Sequence, residues 1–426
     1  MPEFLTLLPP DEARDLLLSH LPELTLDSET IDVTSSLNRI LAEDIAAPHP
    51  LPEFRRTTVD GYAIRARDTF GASDSLPAYL VLVGEVPMGD SPLFDISAGQ
   101  CALIHTGGML PTGADAVVML EYTQGIASSG LRLEESGKGE IEIFRAVADG
   151  ENVIRVGEDV AQGQLILPKG SQMRPAEIGG LLALGITSIR AVKKPRVGLI
   201  STGDEVINPS QSPRPGQVRD VNSYTLSALI EKSGGEAQRY GIISDQFEVL
   251  KDAAAKALSE CDAVIITAGS SASTRDMTAD VIRQLGEPGV LVHGINTRPG
   301  KPTILGACNG KAVIGLPGNP VSALVNGYLF VVPVIEKLLG ALPRPKATVM
   351  AKLTVNLASQ AGREDWWPVR LLHSPERRRG RGEVEVEPIF GKSNLIFTLA
   401  SADGLLRIPA DATGLGAGET VEVILI

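Results

Sequence analysis

Residues 315–323 of the 426-residue chain read GLPGNPVSA, and this stretch decides how the middle of the sequence is interpreted. The apolar run KAVI before it is typical of a buried strand, and ALVNGYLFVVPVIEKLLG after it is typical of a long apolar helix. Its two prolines remove backbone donors, and its two glycines allow a backbone to approach another group closely. The stretch therefore predicts a strand-to-helix junction that forms either a tight turn or one wall of a ligand site.

Around this junction, from residue 195 onward, apolar strands alternate with amphipathic helices. VGLIST, AQRYGII, DAVIIT, VLVHGI and KAVIGL read as strands, and NSYTLSALIEKSG, DQFEVLKDAAAKALSE and DMTADVIRQLG read as helices. This alternation predicts an α/β domain with a mostly parallel sheet. Short β-rich runs punctuated by Gly, Pro and Asp predict compact β domains on both sides of it, and residues 36–44 suggest a short helix.

Changes in this pattern divide the chain into four predicted domains. Residues 1–52 and 154–192 form a segmented linker domain, and residues 53–153 form a β domain inserted between its two parts. Residues 193–342 form the α/β domain, and residues 343–426 form a C-terminal β domain.

Composition narrows the functional classes. The net charge of −13 argues against a nucleic-acid partner, since such proteins carry a basic face. The three cysteines form no CxxC pair, which fits a reducing compartment. The N-terminus shows no signal-peptide pattern, and no apolar run reaches the roughly 18–20 residues of a membrane span. We therefore expect a cytoplasmic protein without a membrane association, in which a local pocket must hold any anionic ligand.

The loops that follow the predicted strands are rich in donors, cations and carboxylates. Ligands of open α/β sheets bind beyond the carboxyl ends of the strands, where these loops would meet. Singly, each loop also has a structural interpretation; Asp245, for example, could cap a helix. Together they suit a phosphate or another oxyanion beside a divalent ion such as Mg²⁺. The chain has no GxxxxGK[ST], HExxH or GxSxG motif, so the commoner nucleotide and nucleophile sites are not expected.

Six motifs then follow one another in a specific order. They are TVDGYAI at 58–64, PTGADAVV at 111–118, GED at 157–159, STGDE at 201–205, RPGKP at 298–302 and GLPGNPVS at 315–322. This set resembles the molybdopterin molybdotransferase family (molybdenum insertases: bacterial MoeA and the E domain of gephyrin) over nearly the whole chain. The resemblance implies a multidomain α/β plus β fold, with the segmented linker domain, the inserted β domain, a MogA-like α/β molybdopterin-binding domain and a C-terminal β barrel.

The same resemblance implies an enzyme of molybdenum cofactor biosynthesis. Such an enzyme inserts molybdate into adenylylated molybdopterin, releases AMP by hydrolysis and requires Mg²⁺. It would act as a homodimer, with each site between the α/β domain of one subunit and the inserted β domain of the other. A molybdopterin adenylyltransferase is an expected partner.

Motif matching assigns roles to individual residues. Asp60 and Thr106 of the inserted domain join Glu205, Asp245 and Asp276 as the expected catalytic residues, and the last three are also the expected metal ligands. The residues expected to hold the pterin nucleotide are Gly269, Ser270, Ser271, Ser273, Arg298, Lys301, Pro317, Gly318, Asn319, Pro320 and Ser322.

Two departures from the family pattern affect the oxyanion and the reaction. Pro368 stands where the resemblance implies a molybdate-binding arginine, so Arg370, with Lys392 and Ser393, is expected to contact the oxyanion. The serine-rich loop after DAVIIT resembles that of the related molybdopterin adenylyltransferases. Three alternatives therefore stay open: a tungstate-inserting member, an adenylyltransferase-like member, and a non-catalytic molybdopterin carrier or scaffold. The carboxylates of Asp60, Glu205, Asp245 and Asp276 together favour an enzyme, because a carrier needs no metal-binding carboxylates.

Overall fold

The computed structural model describes residues 7–23, 27–127, 139–268, 272–372 and 384–426. The side chains of residues 126–127 and 272–276 are not included in that description. The predicted ligand-binding residues Gly269, Ser270 and Ser271 therefore lie outside the described residues. Ser273 and Asp276 are described only as part of the helix Ala272–Leu285.

A six-stranded sheet forms the centre of the α/β domain. Its strands lie in the spatial order Glu236–Ile243, Arg196–Thr202, Ala263–Ala268, Lys311–Pro317, Ile304–Cys308 and Pro288–His293. The first four strands run parallel to one another. Ile304–Cys308 runs antiparallel to both of its neighbours, Lys311–Pro317 and Pro288–His293. The predicted mostly parallel sheet is confirmed. All six residues of Ala263–Ala268 are buried, as expected for a strand covered on both faces.

Helices cover both faces of this sheet. On one face, Asn222–Lys232 and the helical stretch Pro320–Leu339 pack against Leu199, Ile265 and Ile314. On the other face, the helices Phe247–Glu260 and Ala272–Leu285 pack against those residues of the same strands that point to that face. Successive strand residues point to opposite faces, so each strand contributes to both hydrophobic cores.

The predicted long apolar helix is interrupted. It consists of the α-helix Pro320–Asn326, a π-helical turn at Gly327–Val331 and the α-helix Val332–Leu339, which ends at Gly340 with a φ of 58°. By length and composition this stretch could span a membrane, but 61% of its most apolar window is buried in the protein. It therefore has the character of a core helix.

The inserted β region contains a second six-stranded sheet. Its strands lie in the order Ala116–Met119, Gly61–Ile64, Gln100–Ile104, Ala78–Val86, Gly139–Ile143 and Thr123–Ala127. Gly61 lies where a Cβ atom would come 1.9 Å from the backbone oxygen of Val118. Only glycine permits this approach between the two strands.

Segments that flank the inserted region, or lie at its two ends, pair with each other. Ser28–Asp32 pairs with Ser188–Val192, Ile45–Ala46 with Leu165–Leu167, and Arg56–Thr57 with Val153–Ile154, all antiparallel. The α-helices Pro10–Ser19 and Pro175–Ala183 belong to the same part of the chain.

The helix predicted at 36–44 is wrong. Ser36 donates its hydroxyl hydrogen to the carbonyl of Val33, and Asn38 has a φ of 63°, which no right-handed helix accommodates. Ile40 and Leu41 instead form isolated bridges.

The C-terminal region is a closed barrel of five strands. The strands follow the order Glu364–Leu372, Glu385–Pro388, Thr348–Leu353, Thr420–Leu425 and Gly404–Ile408, and the last pairs again with the first. The short strand Thr297–Arg298 of the α/β region pairs in parallel with Glu364 and Asp365 of the barrel. This pairing joins the two regions beside the candidate site. Two short strand pairs complete the described sheets: Val206–Ile207 with Val218–Arg219, and Leu357–Ala358 with Gly414–Leu415. The remaining short helical elements are the α-helix Phe397–Ala400 and the 3₁₀ turns Val33–Ser35, Ala66–Thr69 and Leu120–Tyr122.

Candidate active site

A cavity of about 650 Å³ lies between the α/β sheet and the C-terminal barrel. Four segments supply its walls: residues 297–302, residues 317–322, the start of the barrel strand at 363–368, and residues 389–398. Seven of the residues predicted from sequence line it, namely Arg298, Lys301, Pro317, Asn319, Ser322, Lys392 and Ser393. The strand-to-helix junction at residues 317–322 therefore forms one wall of a cavity and is not only a turn.

Local structure explains how the junction forms this wall. Pro317 ends its strand, Asn319 precedes the helix Pro320–Asn326, and Pro320 occupies the first helical position, where its missing N–H is not needed. The backbone N–H of Val321 donates to the carbonyl of Ser393 at 3.0 Å, which ties this wall to the one opposite. Gly318 and Pro320 belong to the same segment but do not line the cavity. The carbonyl of Gly318 accepts a hydrogen bond from Asn222 Nδ2 at 2.8 Å.

The cavity carries an excess of positive charge. Among the described residues, four cations line it, Arg298, Lys301, Arg363 and Lys392, against the one carboxylate of Asp365. The ammonium groups of Lys301 and Lys392 form no hydrogen bond or ion pair with any residue that the structure describes; both side chains are exposed. Since the whole chain has a net charge of −13, this excess of three positive charges is a local feature. It suits a multiply charged oxyanion, which binds cations through charge-assisted hydrogen bonds.

Asp365 organises the two arginines of this set. It is almost fully buried and accepts hydrogen bonds from Arg363 Nε at 2.8 Å and from an Arg363 terminal nitrogen at 3.2 Å. Arg298 Nη1 lies 3.8 Å from the same carboxylate, and its guanidinium lies over the ring of Trp367, 5.7 Å from the centroid. The guanidinium of Arg363 is thereby held in a fixed orientation at the cavity wall, whereas the more exposed Arg298 makes only the longer ion-pair contact.

Sequence reasoning missed Arg363. A signal for it exists, because Arg363, Asp365 and Trp367 alternate on one side of a strand and an acidic residue two positions away can orient an arginine. Arg370, predicted to contact the oxyanion, is exposed and pairs in the barrel register with Glu387. Among the described residues that line the cavity, the strand contributes only positions 363–368, so Arg370 lies beyond it.

The predicted carboxylates Glu205 and Asp245 lie at the carboxyl edge of the α/β sheet. They follow the neighbouring parallel strands Arg196–Thr202 and Glu236–Ile243. The backbone N–H of Asp245 donates to Asp204 Oδ1 at 3.4 Å, which joins the two loops. In the described part of the chain, no group of three or more His, Cys, Asp or Glu side chains is arranged to hold a metal ion. Because the side chain of Asp276 lies outside that part, the predicted metal ligands stay a prediction.

Asp60 and Thr106 are brought together in the inserted β region. Asp60 Oδ1 accepts hydrogen bonds from the Thr106 backbone N–H at 2.8 Å and from its hydroxyl at 3.1 Å. These bonds, with a smaller contribution from nearby His105, hold the pKa of Asp60 below its ordinary value. His105 also contacts Glu85 through Nε2 at 2.9 Å. Neither Asp60 nor Thr106 is among the described residues that line the cavity of the same chain.

Comparison with known protein families matches three consecutive regions of the chain. Residues 8–185 match the MoeA N-terminal region (domain I and II), and residues 350–426 match the MoeA C-terminal region (domain IV). Residues 198–337 match the family described as "Probable molybdopterin binding domain". The cavity lies where the second and third of these regions meet.

Individual relatives match over the full length. A Methanocaldococcus jannaschii protein assigned by name to molybdopterin biosynthesis is 38% identical, covering 99% of this chain and 98% of its own. The molybdopterin molybdenumtransferase of Bacillus subtilis is 32% identical, covering 94% and 90% respectively. The solved structure of a molybdopterin biosynthesis MoeA protein from Pyrococcus horikoshii OT3 superposes with a TM-score of 0.83 at 32% identity, covering 99% of this chain and 100% of that one.

Proposed function

The chain belongs to the MoeA family of molybdopterin molybdenumtransferases, and from this premise we propose that it inserts molybdate into adenylylated molybdopterin with hydrolytic release of AMP. The observation that carries the proposal is the cavity whose described lining sets four cations against one carboxylate within an acidic protein. Molybdate is a dianion, and the nucleotide substrate carries a phosphoanhydride. Both require fixed positive charge more than a covalent nucleophile.

The cavity residues would divide between binding and orientation. Lys301 and Lys392 are exposed cations without a protein partner among the described residues, so they are available to anionic oxygens. Arg363 is hydrogen-bonded to Asp365 and presents a guanidinium group of fixed orientation, and Arg298 lies within ion-pair distance of the same carboxylate. Such prearranged donors stabilise charge that develops on oxygen without having to reorganise during the reaction.

A magnesium ion fits the carboxylates at the sheet edge. Glu205 and Asp245 offer carboxylate oxygens, the ligand type that Mg²⁺ prefers, on loops that follow neighbouring strands. Gly203 leaves space for the first of these carboxylates, since a Cβ there would lie 2.8 Å from Glu205 Oε2. With Asp276 they would hold the ion, which would neutralise charge on the phosphates.

We further propose that the working unit is a homodimer, in which Asp60 and Thr106 of one subunit face the cavity of the other. Charge supports this arrangement, because Asp60 and Glu85 lie together in the inserted region whereas the cavity is cationic. Apolar exposure supports it as well. Phe390 and Phe397 beside the cavity are 64% and 78% exposed, and Leu93 of the inserted region is 97% exposed. Asp60 Oδ1 is occupied by Thr106, and Oδ2 has no partner among the described residues, so Oδ2 would act on the water or the substrate.

The cellular setting is proposed on the same basis. Cys101, Cys261 and Cys308 are buried free thiols, which suits a reducing, cytoplasmic location. A molybdopterin adenylyltransferase would supply the adenylylated substrate, because the proposed reaction consumes that product.

The test is AMP release from adenylylated molybdopterin in the presence of Mg²⁺, with molybdate, with tungstate and without an oxyanion. Release that depends on the oxyanion is expected, and the more effective oxyanion identifies the metal. Tight nucleotide binding without release in any of the three would contradict the proposed reaction and favour a carrier. Release without an oxyanion requirement would contradict it too.

A further inference from the structure

Asn326 is a fully buried amide beneath the cavity. It is the last residue of the helix Pro320–Asn326, immediately before the π-helical turn Gly327–Val331. The side chain does not line the cavity, and neither motif matching nor the reaction proposed above uses it.

One nitrogen of this amide joins two cavity walls. Asn326 Nδ2 donates to the carbonyl of Pro299 at 3.1 Å and to the carbonyl of Ser322 at 2.8 Å. Pro299 lies between the two predicted cationic ligands Arg298 and Lys301, and Ser322 lies on the opposite segment of the lining. A single side chain thus fixes the position of the cationic loop relative to the strand-to-helix junction.

The loop backbone lies directly against this amide. Gly300 has a φ of 108°, and a Cβ atom built on it would come 1.7 Å from Asn326 Nδ2. The carbonyl of Gly300 accepts the hydroxyl hydrogen of Thr303 at 2.8 Å, and the carbonyl of Lys301 accepts the N–H of Ile295 at 2.8 Å. The loop is therefore held from both sides, by Asn326 on one and by the chain around Thr303 on the other.

Stability alone does not explain an amide at this position. Asn326 Oδ1 is buried and has no hydrogen-bond partner among the described residues, and an unpaired buried acceptor costs free energy. Its helix neighbours Val321 and Val325 are buried apolar residues. A leucine of similar size would avoid the unpaired oxygen, but it would leave the Pro299 carbonyl without a donor and release the loop.

We propose that Asn326 is the positioning residue that sets the cationic loop at 298–301, so that oxyanion affinity depends on a side chain that never touches the ligand. The inference rests on the proposed function for the identity of the ligand. The structural part of the inference, that Asn326 holds the loop, does not depend on the proposed function.

The experiment compares Asn326→Leu and Asn326→Ser with a matched control. Serine keeps a donor but is too short to reach both carbonyls. Ser227→Ala is the control, because Ser227 is a buried residue of the helix Asn222–Lys232 that donates to the carbonyl of Ser223 at 2.7 Å and is not part of the cavity. Each variant is measured for thermal stability, for hydrogen exchange of the ligand-free protein over residues 296–303, and for molybdate affinity.

The expected result is faster exchange confined to the loop and molybdate affinity weakened by roughly tenfold in both Asn326 variants, as for other misplaced contact groups. Ser227→Ala should change neither the hydrogen exchange of the loop nor the molybdate affinity, even where it lowers thermal stability by a comparable amount. In turnover assays the KM for molybdate should rise while kcat at saturation is kept.

Two outcomes separate the inference from the proposed function. If the wild-type protein binds no molybdate, the proposed function fails, and loop exchange in the ligand-free protein still decides whether Asn326 holds the loop. If exchange and affinity in Asn326→Ser match those of Ser227→Ala, the positioning role is refuted, whether or not Asn326→Leu folds.

Discussion

Replacing Lys301 by alanine tests the electrostatic basis of the site most directly. The side chain of Lys301 is exposed and lines the cavity, and its ammonium group has no partner among the described residues, so replacing it by alanine breaks no internal hydrogen bond or ion pair. We expect the free energy of unfolding to change by less than about 0.5 kcal/mol, as for other surface substitutions. The cavity would keep three cations against Asp365, which lowers its charge excess from three to two.

The expected loss of affinity follows from one charge-assisted contact. Such a contact contributes roughly 1.5–3 kcal/mol, which corresponds to a roughly 10- to 150-fold increase in the Kd for molybdate. Because the side chain is exposed and screened by solvent, we expect a value near the lower end of that range. The wild-type affinity should also weaken with added salt, and it should do so less steeply in the variant.

Isothermal titration calorimetry with molybdate, at two salt concentrations, measures both effects. Lys194→Ala is the matched control, since Lys194 is an exposed lysine outside the cavity and the variant carries the same change in net charge. A Kd for Lys301→Ala within twofold of that for Lys194→Ala, with unchanged stability, would refute the argument that fixed charge in this cavity binds the anion.

Three further substitutions follow from the geometry. Arg363→Ala leaves the buried carboxylate of Asp365 without its main partner. We expect the free energy of unfolding in urea to fall by roughly 3 kcal/mol, the cost of an uncompensated buried charge. An unchanged urea midpoint would contradict that pairing. Thr106→Ala removes the hydroxyl hydrogen bond to Asp60 but keeps the backbone N–H bond, which is the larger cause of the lowered pKa, so that pKa should rise only part of the way toward its ordinary value. Activity that needs ionised Asp60 is lost as the pH falls through its pKa, so the acid limb of the pH–rate profile should move to higher pH. Gly61→Ala drives a Cβ into a backbone oxygen, and soluble expression and thermal melting should both show marked destabilisation.

The α/β sheet could be predicted because its signal is local. The run DAVIIT has an apolar centre, AVII at 263–266, and lies in the strand Ala263–Ala268, whose six residues are all buried; Asn222 begins a helix as predicted. The cationic loop at 298–302 and the junction at 315–322 were recognisable for the same reason, since each carries its chemistry within a few consecutive residues.

What sequence missed depends on contacts between distant segments. Arg363 reaches the cavity only because Thr297–Arg298 pairs with Glu364 and Asp365 of the barrel, and no periodicity in either segment predicts that pairing. The π-helical turn after Asn326 lies inside a largely apolar run, where hydrophobic pattern alone predicts a regular helix. In the same way, Ser36 and Asn38 override a helical pattern through a side-chain bond and a left-handed backbone.

The separation of Asp60 from the cavity leads to a complementation experiment. If each site combines Asp60 of one subunit with Lys301 of the other, a heterodimer of Asp60→Ala and Lys301→Ala subunits has one intact site and one doubly altered site. Random exchange between the two variant homodimers makes about half of the dimers mixed. At a molybdate concentration well below the Kd of Lys301→Ala, where the altered sites are nearly empty, roughly a quarter of wild-type AMP release should therefore return.

The outcome distinguishes two arrangements that single substitutions cannot. A site built within one subunit would never be intact in a mixed dimer, and the mixture would then show only the average of the two variants. Dissociation and reassociation of the subunits must be demonstrated in parallel, for example by native mass spectrometry with one variant isotopically labelled. Confirmed mixed dimers without recovered activity would exclude the two-subunit site, whereas recovery near a quarter requires that the acidic residue and the cationic cavity come from different copies of the chain.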